Sequence, residues 1–488
     1  MNKPIRAMAI FCMLLFAALL LNVTYLQYVD AEDLNARADN RRVRDAEFSR
    51  KRGAIVTAGN SVAESRRTDD RYTYQRTYQQ PLKYAHVTGY FSYIYGRSGI
   101  EASQNPILSG SDPRLFVNRV VDLVGDNQPT GGSVTLTLDP VAQDAAFNGL
   151  RALGRDVQGA VVALEPSTGK VLAMVSSPTY DPNLLASHDF NAVTAAWKRL
   201  NANQRKPLLD RTIQETYPPG STFKLVTAAA ALSSGQYTPD TVVKGGARLD
   251  LPLTSTDLVN ENGSTCGGDR ITLTRALEVS CNVSFGDIGL KLGDAALREQ
   301  AEKFGFDQTS LRGINGQVRS RFPSDPDAPQ TALSAIGQFD VAATPLQMAM
   351  IVSGIADGGT VMRPYLVDTV RAPDLSVLDS TTPEAYRSNA VSASVARDLT
   401  QMMVEVVDNG TGGTAQIPGI KVAGKTGTAQ SEPSRPPYAW FVSFAPANDP
   451  KVAVAVLVED AGVDRDAISG SGLAAPIAKR VMQAVIRQ

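Results

Sequence analysis

YPPGSTFKLVTAAAAL, residues 217–232, is the stretch on which the reading of this chain turns. Pro218, Pro219 and Gly220 stop the preceding segment, and the residues from Ser221 onward have the composition of a helix. Ser221 and Lys224 stand three residues apart, so they share one helix face and a hydroxyl can meet an amine without any histidine. A serine needs a base to become a nucleophile, and a lysine serves if burial or a second cation lowers its pKa. The start of the helix adds backbone N–H groups that favour negative charge at the same place.

Spacing alone is weak, because S-x-x-K recurs by chance about once or twice in a chain of 488 residues. A second copy, Ser167 to Lys170, lies in GAVVALEPSTGKVLAMVSS, where Pro166, Thr168 and Gly169 between two β-branched runs spell a hairpin turn. Ser221 differs in its downstream company: Ser280-Cys281-Asn282, then Lys425-Thr426-Gly427-Thr428. S-x-N occurs again at Ser103, whereas K-T-G occurs once. K-T-G stands between IKVA and the runs YAWFVSFAPA and KVAVAVLVED, which read as successive antiparallel strands.

In this order the three signatures resemble those of the penicillin-recognising acyl-serine family. The resemblance takes in SAIGQFDVAATPLQMA and VAGKTGTA, so that from about residue 156 to the end the chain resembles a transpeptidase domain. Upstream, RGAI at Arg52–Ile55 and GRSGIE at Gly96–Glu101 are similar to the short N-terminal motifs of class B penicillin-binding proteins. One departure is visible: the D-R-N-G turn usual after RGxI is replaced by VTAG at Val56–Gly59.

The resemblance implies a penicillin-binding transpeptidase fold of the α+β class, an antiparallel sheet covered by helices plus a helical subdomain, with the active site between them. By the same resemblance Ser221 is the nucleophile and Lys224 its base. Ser280 relays a proton towards the leaving amine, Asn282 holds Lys224 and the substrate amide, and Lys425 supplies positive charge. Thr426, Gly427 and Thr428 receive the substrate, and the backbone N–H groups of Ser221 and Thr428 form an oxyanion hole. The implied substrate is the D-alanyl-D-alanine end of a peptidoglycan stem peptide, the acceptor is a neighbouring stem's amine, and β-lactams acylate Ser221 as mimics. No cofactor is called for.

A β-lactamase or D,D-carboxypeptidase would carry the same signatures and hand the acyl group to water, although the E-x-x-L-N loop of class A β-lactamases is missing between S-x-N and K-T-G. A β-lactam sensor would trap the drug without turnover. A non-enzymatic cell-division scaffold would need only the N-terminal module. No segment resembles a glycosyltransferase, so a separate membrane glycosyltransferase and cell-division or elongation proteins are the expected partners.

Composition narrows the classes further. Lys plus Arg number 48 against 49 Asp plus Glu, a net charge of -1, which excludes an ordinary nucleic-acid binder. With 43% hydrophobic residues the chain can bury a sizeable core. His86 and His188 are the only histidines and neither lies in a nucleophile-like context, which argues against a Ser-His-Asp triad.

Lys3 and Arg6 precede an apolar run from Ala7 to about Leu26, a length between a signal h-region and a membrane span. An A-x-A pattern at Ala36–Ala38 stands well beyond it, so the run reads as an uncleaved signal-anchor in preference to a removed signal, with the bulk of the chain on the extracytoplasmic side. In that oxidising space Cys266 and Cys281 can bridge, bracing the S-x-N loop by about 3 kcal/mol for a loop near fifteen residues, or remain two inert thiols.

The expected organisation is a tail over 1–6, the anchor over 7–26, an extended non-catalytic dimerisation or pedestal-like module over 27–155, and the transpeptidase domain over 156–488. Within it, residues 221 to about 310 and 331–358 show helical periodicity, and LAAPIAKRVMQAVI closes the chain as an amphipathic helix.

Overall fold

A computed structural model describes residues 3–30, 34, 41–115, 130–261, 263–430 and 435–487. The A-x-A pattern at 36–38 lies outside them. Helix α1 (Lys3–Tyr28) has none of its 26 residues buried, and it is the one described helix long and apolar enough to cross a membrane. At 1.5 Å per residue it spans about 39 Å, more than a hydrocarbon core requires.

The next elements are strands β1 (Ile55–Thr57), β2 (Asn60–Arg67), β3 (Tyr74–Tyr78) and β4 (Ser133–Leu136), then helix α2 (Pro140–Arg151) and the hairpin β5 (Gln158–Leu164) and β6 (Val171–Ser177). Helices α3 (Lys224–Ser233), α4 (Leu273–Glu278), α5 (Asn282–Leu292) and α6 (Pro345–Ala356) follow, then β7 (Val367–Arg371), β8 (Val377–Ser380) and α7 (Ala393–Asp408). Strands β9 (Ala423–Ala429), β10 (Tyr438–Ala445) and β11 (Val452–Asp460) and helix α8 (Ala475–Ile486) complete the chain.

The expected antiparallel sheet is present in the order β9-β10-β11-β5-β6, so its two ends of sequence meet where β11 pairs with β5. Both faces are covered, which is why its three central strands β10, β11 and β5 are buried and largely apolar. Along β10, Trp440, Val442 and Phe444 join the core beneath α3 and α6, while Ala439, Phe441 and Ala445 face the core of α2 and α8. Helix α8 buries Ala475, Ile477, Ala478, Val481 and Met482, the stripe its sequence periodicity predicts.

Across position 155/156 the chain is packed: α2 lies chiefly against α8 and β6 and shares their core. The N-terminal sheet, ordered β8-β7-β4-β1-β2-β3, likewise takes two strands from beyond the boundary. The helical reading of 221–310 is also interrupted. Two short ribbons, Val242–Lys244 with Arg270–Thr272 and Arg248–Leu249 with Leu258–Val259, carry the chain between α3 and α4. Gly245, Gly246 and Pro252 break helical continuity there.

The N-terminal motifs converge on one buried carboxylate. Glu101 of GRSGIE accepts hydrogen bonds from Arg52 Nε of RGAI at 2.6 Å, Arg76 Nε at 2.6 Å and the Tyr78 hydroxyl at 3.2 Å. Burial would raise the Glu101 pKa, but the Arg76 and Arg52 charges outweigh it and hold the carboxyl below its ordinary value. The VTAG departure closes β1 to β2 through Ala58 and Gly59, both at positive φ, so the hairpin keeps its two-residue turn.

Glu101→Ala leaves two guanidinium groups buried without their shared partner, and the expected loss is about 3–5 kcal/mol, read from denaturant unfolding. Because the wild-type pKa is depressed, this stabilisation is present above the ordinary carboxylate range and is lost as pH falls through the lowered value. An unchanged midpoint in the variant would show that the cluster contributes nothing.

Candidate active site

Ser221 sits on a short 3₁₀ turn, Gly220–Phe223, that runs directly into α3. The turn is pinned from three sides. Gly220 N donates to Gly337 O at 2.9 Å, Trp440 Nε1 donates to Pro218 O at 2.9 Å, and the turn packs against β9. Gly337 has φ +73°, and a Cβ there would lie 2.2 Å from Gly220 O, so the segment SAIGQFD requires glycine at this point. A Cβ on Gly427 would lie 2.9 Å from Thr222 Cγ2, which is why K-T-G can approach the turn so closely.

Lys224 is the first residue of α3 and is fully buried. Its Nζ donates to Ser280 O at 2.6 Å and Asn282 Oδ1 at 2.7 Å and lies 3.3 Å from Ser280 Oγ. Lys425, equally buried on β9, donates to Ser280 Oγ at 2.8 Å and Thr426 O at 2.9 Å. One serine hydroxyl therefore lies between two lysines. Ser280 is held at φ +60°, a left-handed conformation costly for a residue with a Cβ, at the turn between α4 and α5. The direct Ser221–Lys224 hydrogen bond expected from i, i+3 spacing is not made; Lys224 points to the S-x-N loop, and Ser221 lines the cleft beside it. Such contacts commonly tighten only when substrate is bound.

Burial pushes the Lys224 pKa well below its ordinary value, and the charge of Lys425 pushes it further, against the opposing pull of Glu261. Burial likewise brings Lys425 down to about 7, again opposed by Glu261. Two ammonium groups with no carboxylate hydrogen-bonded to them cannot both stay charged at low cost. Lys224, the more strongly depressed, is the one left neutral.

The cleft in front of these groups has a volume of about 720 Å³ and is lined by Ser221, Asn282, Thr428, Glu261, Ile336 and Phe339, among others. Strand β9 is an edge strand. Since Thr426 O turns outward to Lys425 Nζ, Thr428, two residues on, presents its backbone to the same free edge, facing the cleft. Cys266 and Cys281 are disulfide-bonded.

Three further residues hold the site, and none carried a signal in the sequence. Asn260 Oδ1 accepts from the backbone N–H groups of Asn282 at 3.0 Å and Val283 at 3.1 Å, capping α5 from another loop, while its Nδ2 donates to Ser264 O at 2.8 Å and Gly246 O at 3.0 Å. Asn282 Nδ2 returns a bond to Val259 O at 3.0 Å. Thr411 shares a 2.6 Å hydrogen bond with the Thr426 hydroxyl, and its N–H donates to Glu278 O at 3.3 Å, tying K-T-G to the helix that leads into S-x-N. Trp440 is the third.

The decoys are accounted for. Lys170 pairs with Asp368 at 3.2 Å on the β5–β6 turn, and Ser103 Oγ donates to Gly313 O at 2.6 Å. His86 is half-buried against Pro207 O and held down to about 4 by desolvation of its ring; His188 pairs with Asp70. Both lie outside the cleft.

Residues 159–483 match the family described as penicillin binding protein transpeptidase domain, and residues 52–134 match that described as penicillin binding protein A dimerisation domain. Peptidoglycan D,D-transpeptidase PbpA of Mycolicibacterium smegmatis is 45% identical over 494 residues, 100% of both chains. The protein of the same name from Mycobacterium tuberculosis H37Rv is 44% identical over 100% of this chain and 99% of its own. Among solved structures, a ceftriaxone acyl-enzyme complex of penicillin-binding protein A from M. tuberculosis superposes with a TM-score of 0.86 at 43% identity, covering 91% of this chain and 100% of that one.

Opening the Cys266–Cys281 bond frees the loop that carries Ser280 and Asn282. Reductant is expected to slow acylation of Ser221 by a fluorescent penicillin several-fold, followed by stopped gel labelling. Equal rates in a sample shown by mass to be reduced would reject this bracing role.

Proposed function

The chain belongs to the penicillin-binding protein transpeptidase family and is a peptidoglycan D,D-transpeptidase, and from that premise we propose that Ser221 carries the acyl group, with Lys224 as its base. The observation that carries the assignment is the Ser280 hydroxyl held between two buried lysines, one of them neutral, at the floor of a cleft lined by Ser221.

Neutral Lys224 accepts the Ser221 proton as Oγ attacks the carbonyl of the penultimate D-alanine. The developing oxyanion is received by the N–H groups of Ser221 and Thr428, donors of a kind worth about 3 kcal/mol each in the transition state. The proton passes from Lys224 through Ser280 Oγ to the departing amine, a path the hydrogen bonds already outline. Protonated Lys425, Thr426 and Thr428 bind the terminal carboxylate of the donor, and Asn282 orients its amide. A neighbouring stem's amine then takes the acyl group. β-Lactams acylate Ser221 by the same first half-reaction.

Helix α1 supports a membrane-anchored protein. In this reading it holds the catalytic domain on the extracytoplasmic side, where a disulfide persists and peptidoglycan lies. The module over 27–155 serves dimerisation or positioning, and polymerisation of glycan falls to a separate membrane glycosyltransferase working with division or elongation proteins.

Fluorescent penicillin should label the protein covalently, and Ser221→Ala should lose the label with its thermal unfolding unchanged; persistent labelling of that variant defeats the nucleophile assignment. The second-order rate of acylation should be bell-shaped in pH. It rises as Lys224 is deprotonated and falls as pH passes about 7, where Lys425 loses its charge. In Lys425→Arg, whose charge is permanent, the alkaline limb should disappear even if the maximum falls. An alkaline limb retained in that variant removes Lys425 from the profile.

A further inference from the structure

The loop that buttresses the S-x-N triplet also delivers a carboxylate to the cleft. Val259 and Asn260 are bonded directly to Asn282, through Asn282 Nδ2 to Val259 O and Asn282 N to Asn260 Oδ1. Asn260 is itself buried and fixed to Gly246 O and Ser264 O. Glu261 is the next residue, so its backbone is set relative to the catalytic asparagine, while its side chain is exposed and lines the cleft with Ser221 and Thr428. Asp257, the other carboxylate lining the cleft among the described residues, faces Arg248 at 3.5 Å. Glu261 makes no ion pair or hydrogen bond among the described residues. Its field reaches both Lys224 and Lys425, which it holds towards their charged forms.

The donor half-reaction has no use for this charge. The terminal carboxylate of the donor is repelled by it, and a carboxylate that favours protonated Lys224 works against the base. The acceptor is different, since an alkyl amine arrives at neutral pH as an ammonium ion. We infer that Glu261 is a specificity residue for the second half-reaction, recruiting a cationic primary amine to the acyl-enzyme in competition with water. This rests on the transpeptidase reading above.

The step balances without further reagents. The ammonium bound near Glu261 releases one proton to solvent, and its nitrogen attacks the ester carbonyl of acyl-Ser221. The C–N bond forms, the bond from carbonyl carbon to Ser221 Oγ breaks, and the second N–H proton returns through Lys224 to Ser221 Oγ. The product amide is neutral, so Glu261 has no hold on it.

The test uses the full-length protein in detergent with a thioester acyl donor ending in a free carboxylate. Two acceptors compete with water: 6-aminohexanamide, which is cationic at neutral pH, and hydroxylamine, which is neutral there. Wild-type and Glu261→Gln proteins, matched by thermal unfolding, are compared by the ratio of aminolysis to hydrolysis in the products. The variant should lose about three- to five-fold in that ratio for 6-aminohexanamide, the scale of one exposed charge pair, and nothing for hydroxylamine. Glu261→Lys should lower the cationic ratio further, and added salt should narrow the gap between wild type and variant. Equal losses for both acceptors, or no loss for either, overturn the assignment. A wild-type protein that transfers its acyl group to no amine would instead overturn the transpeptidase reading itself, leaving penicillin labelling of Ser221 as the separate check on the nucleophile.

Discussion

Two lysine side chains meet at one serine hydroxyl inside this protein, and most of the catalytic half of the molecule can be understood as the means of holding them there. A buried ammonium group is costly unless it is neutralised, and two such groups a hydroxyl apart add mutual repulsion to that cost. Among the described residues no carboxylate is hydrogen-bonded to either amine. The site therefore relieves itself by giving up a proton, and the amine that loses it is the one able to act as a base. Catalytic readiness here is the consequence of a destabilising arrangement, so the surrounding structure must over-determine the geometry.

That requirement accounts for the density of restraint around Ser280. The residue is held in a left-handed conformation, covalently braced through its neighbour Cys281 to Cys266, capped from outside by Asn260 and linked through Glu278 and Thr411 to the K-T-G strand. Each restraint comes from a different stretch of chain. The hydrogen bonds among them are weak singly, since a neutral one contributes about 1 kcal/mol. Together they keep a strained loop from relaxing away from the lysines. The antiparallel sheet supplies the rigid reference: β9 is its edge, and Trp440 on the adjacent strand fixes the segment leading into Ser221.

Much of this was legible beforehand, for identifiable reasons. That Ser221, Lys224, S-x-N and K-T-G would come together was readable because the signatures fix residue type and local spacing, and the sheet was readable because strands such as VAVAVLVED admit no other burial. The partner of Lys224 was not, because i, i+3 geometry states which side chains can meet, not which contact wins once a better acceptor such as Asn282 Oδ1 comes within reach. Asn260, Thr411 and Trp440 act across 22, 15 and 222 residues of sequence, and an ordinary Asn, Thr or Trp announces no partner at such separations. The short ribbons between 242 and 272 stayed hidden because two- and three-residue strands are too brief to establish a period.

β-Structure is shared across the expected boundary at 155/156, and this bears on function. Strand β4 pairs in parallel with β1 of the RGAI motif and antiparallel with β7, which belongs to the later sequence. The N-terminal sheet is thus built jointly, and the Arg52–Glu101–Arg76 cluster lies on the side of it nearest α1 in sequence. A parallel pair cannot be closed by a hairpin, so the β1–β4 contact is a long-range pairing with 75 residues of sequence between its strands. Strand β4 links β1 to β7 through backbone hydrogen bonds, and from the two residues before β7 the chain touches Thr137 and the β5–β6 turn of the catalytic sheet. Module and catalytic domain share one continuous hydrophobic core, which runs from Ile55, Tyr78 and Ile100 to Phe223 and Trp440, and the module is joined to the transpeptidase sheet by packed β-structure and not by a tether.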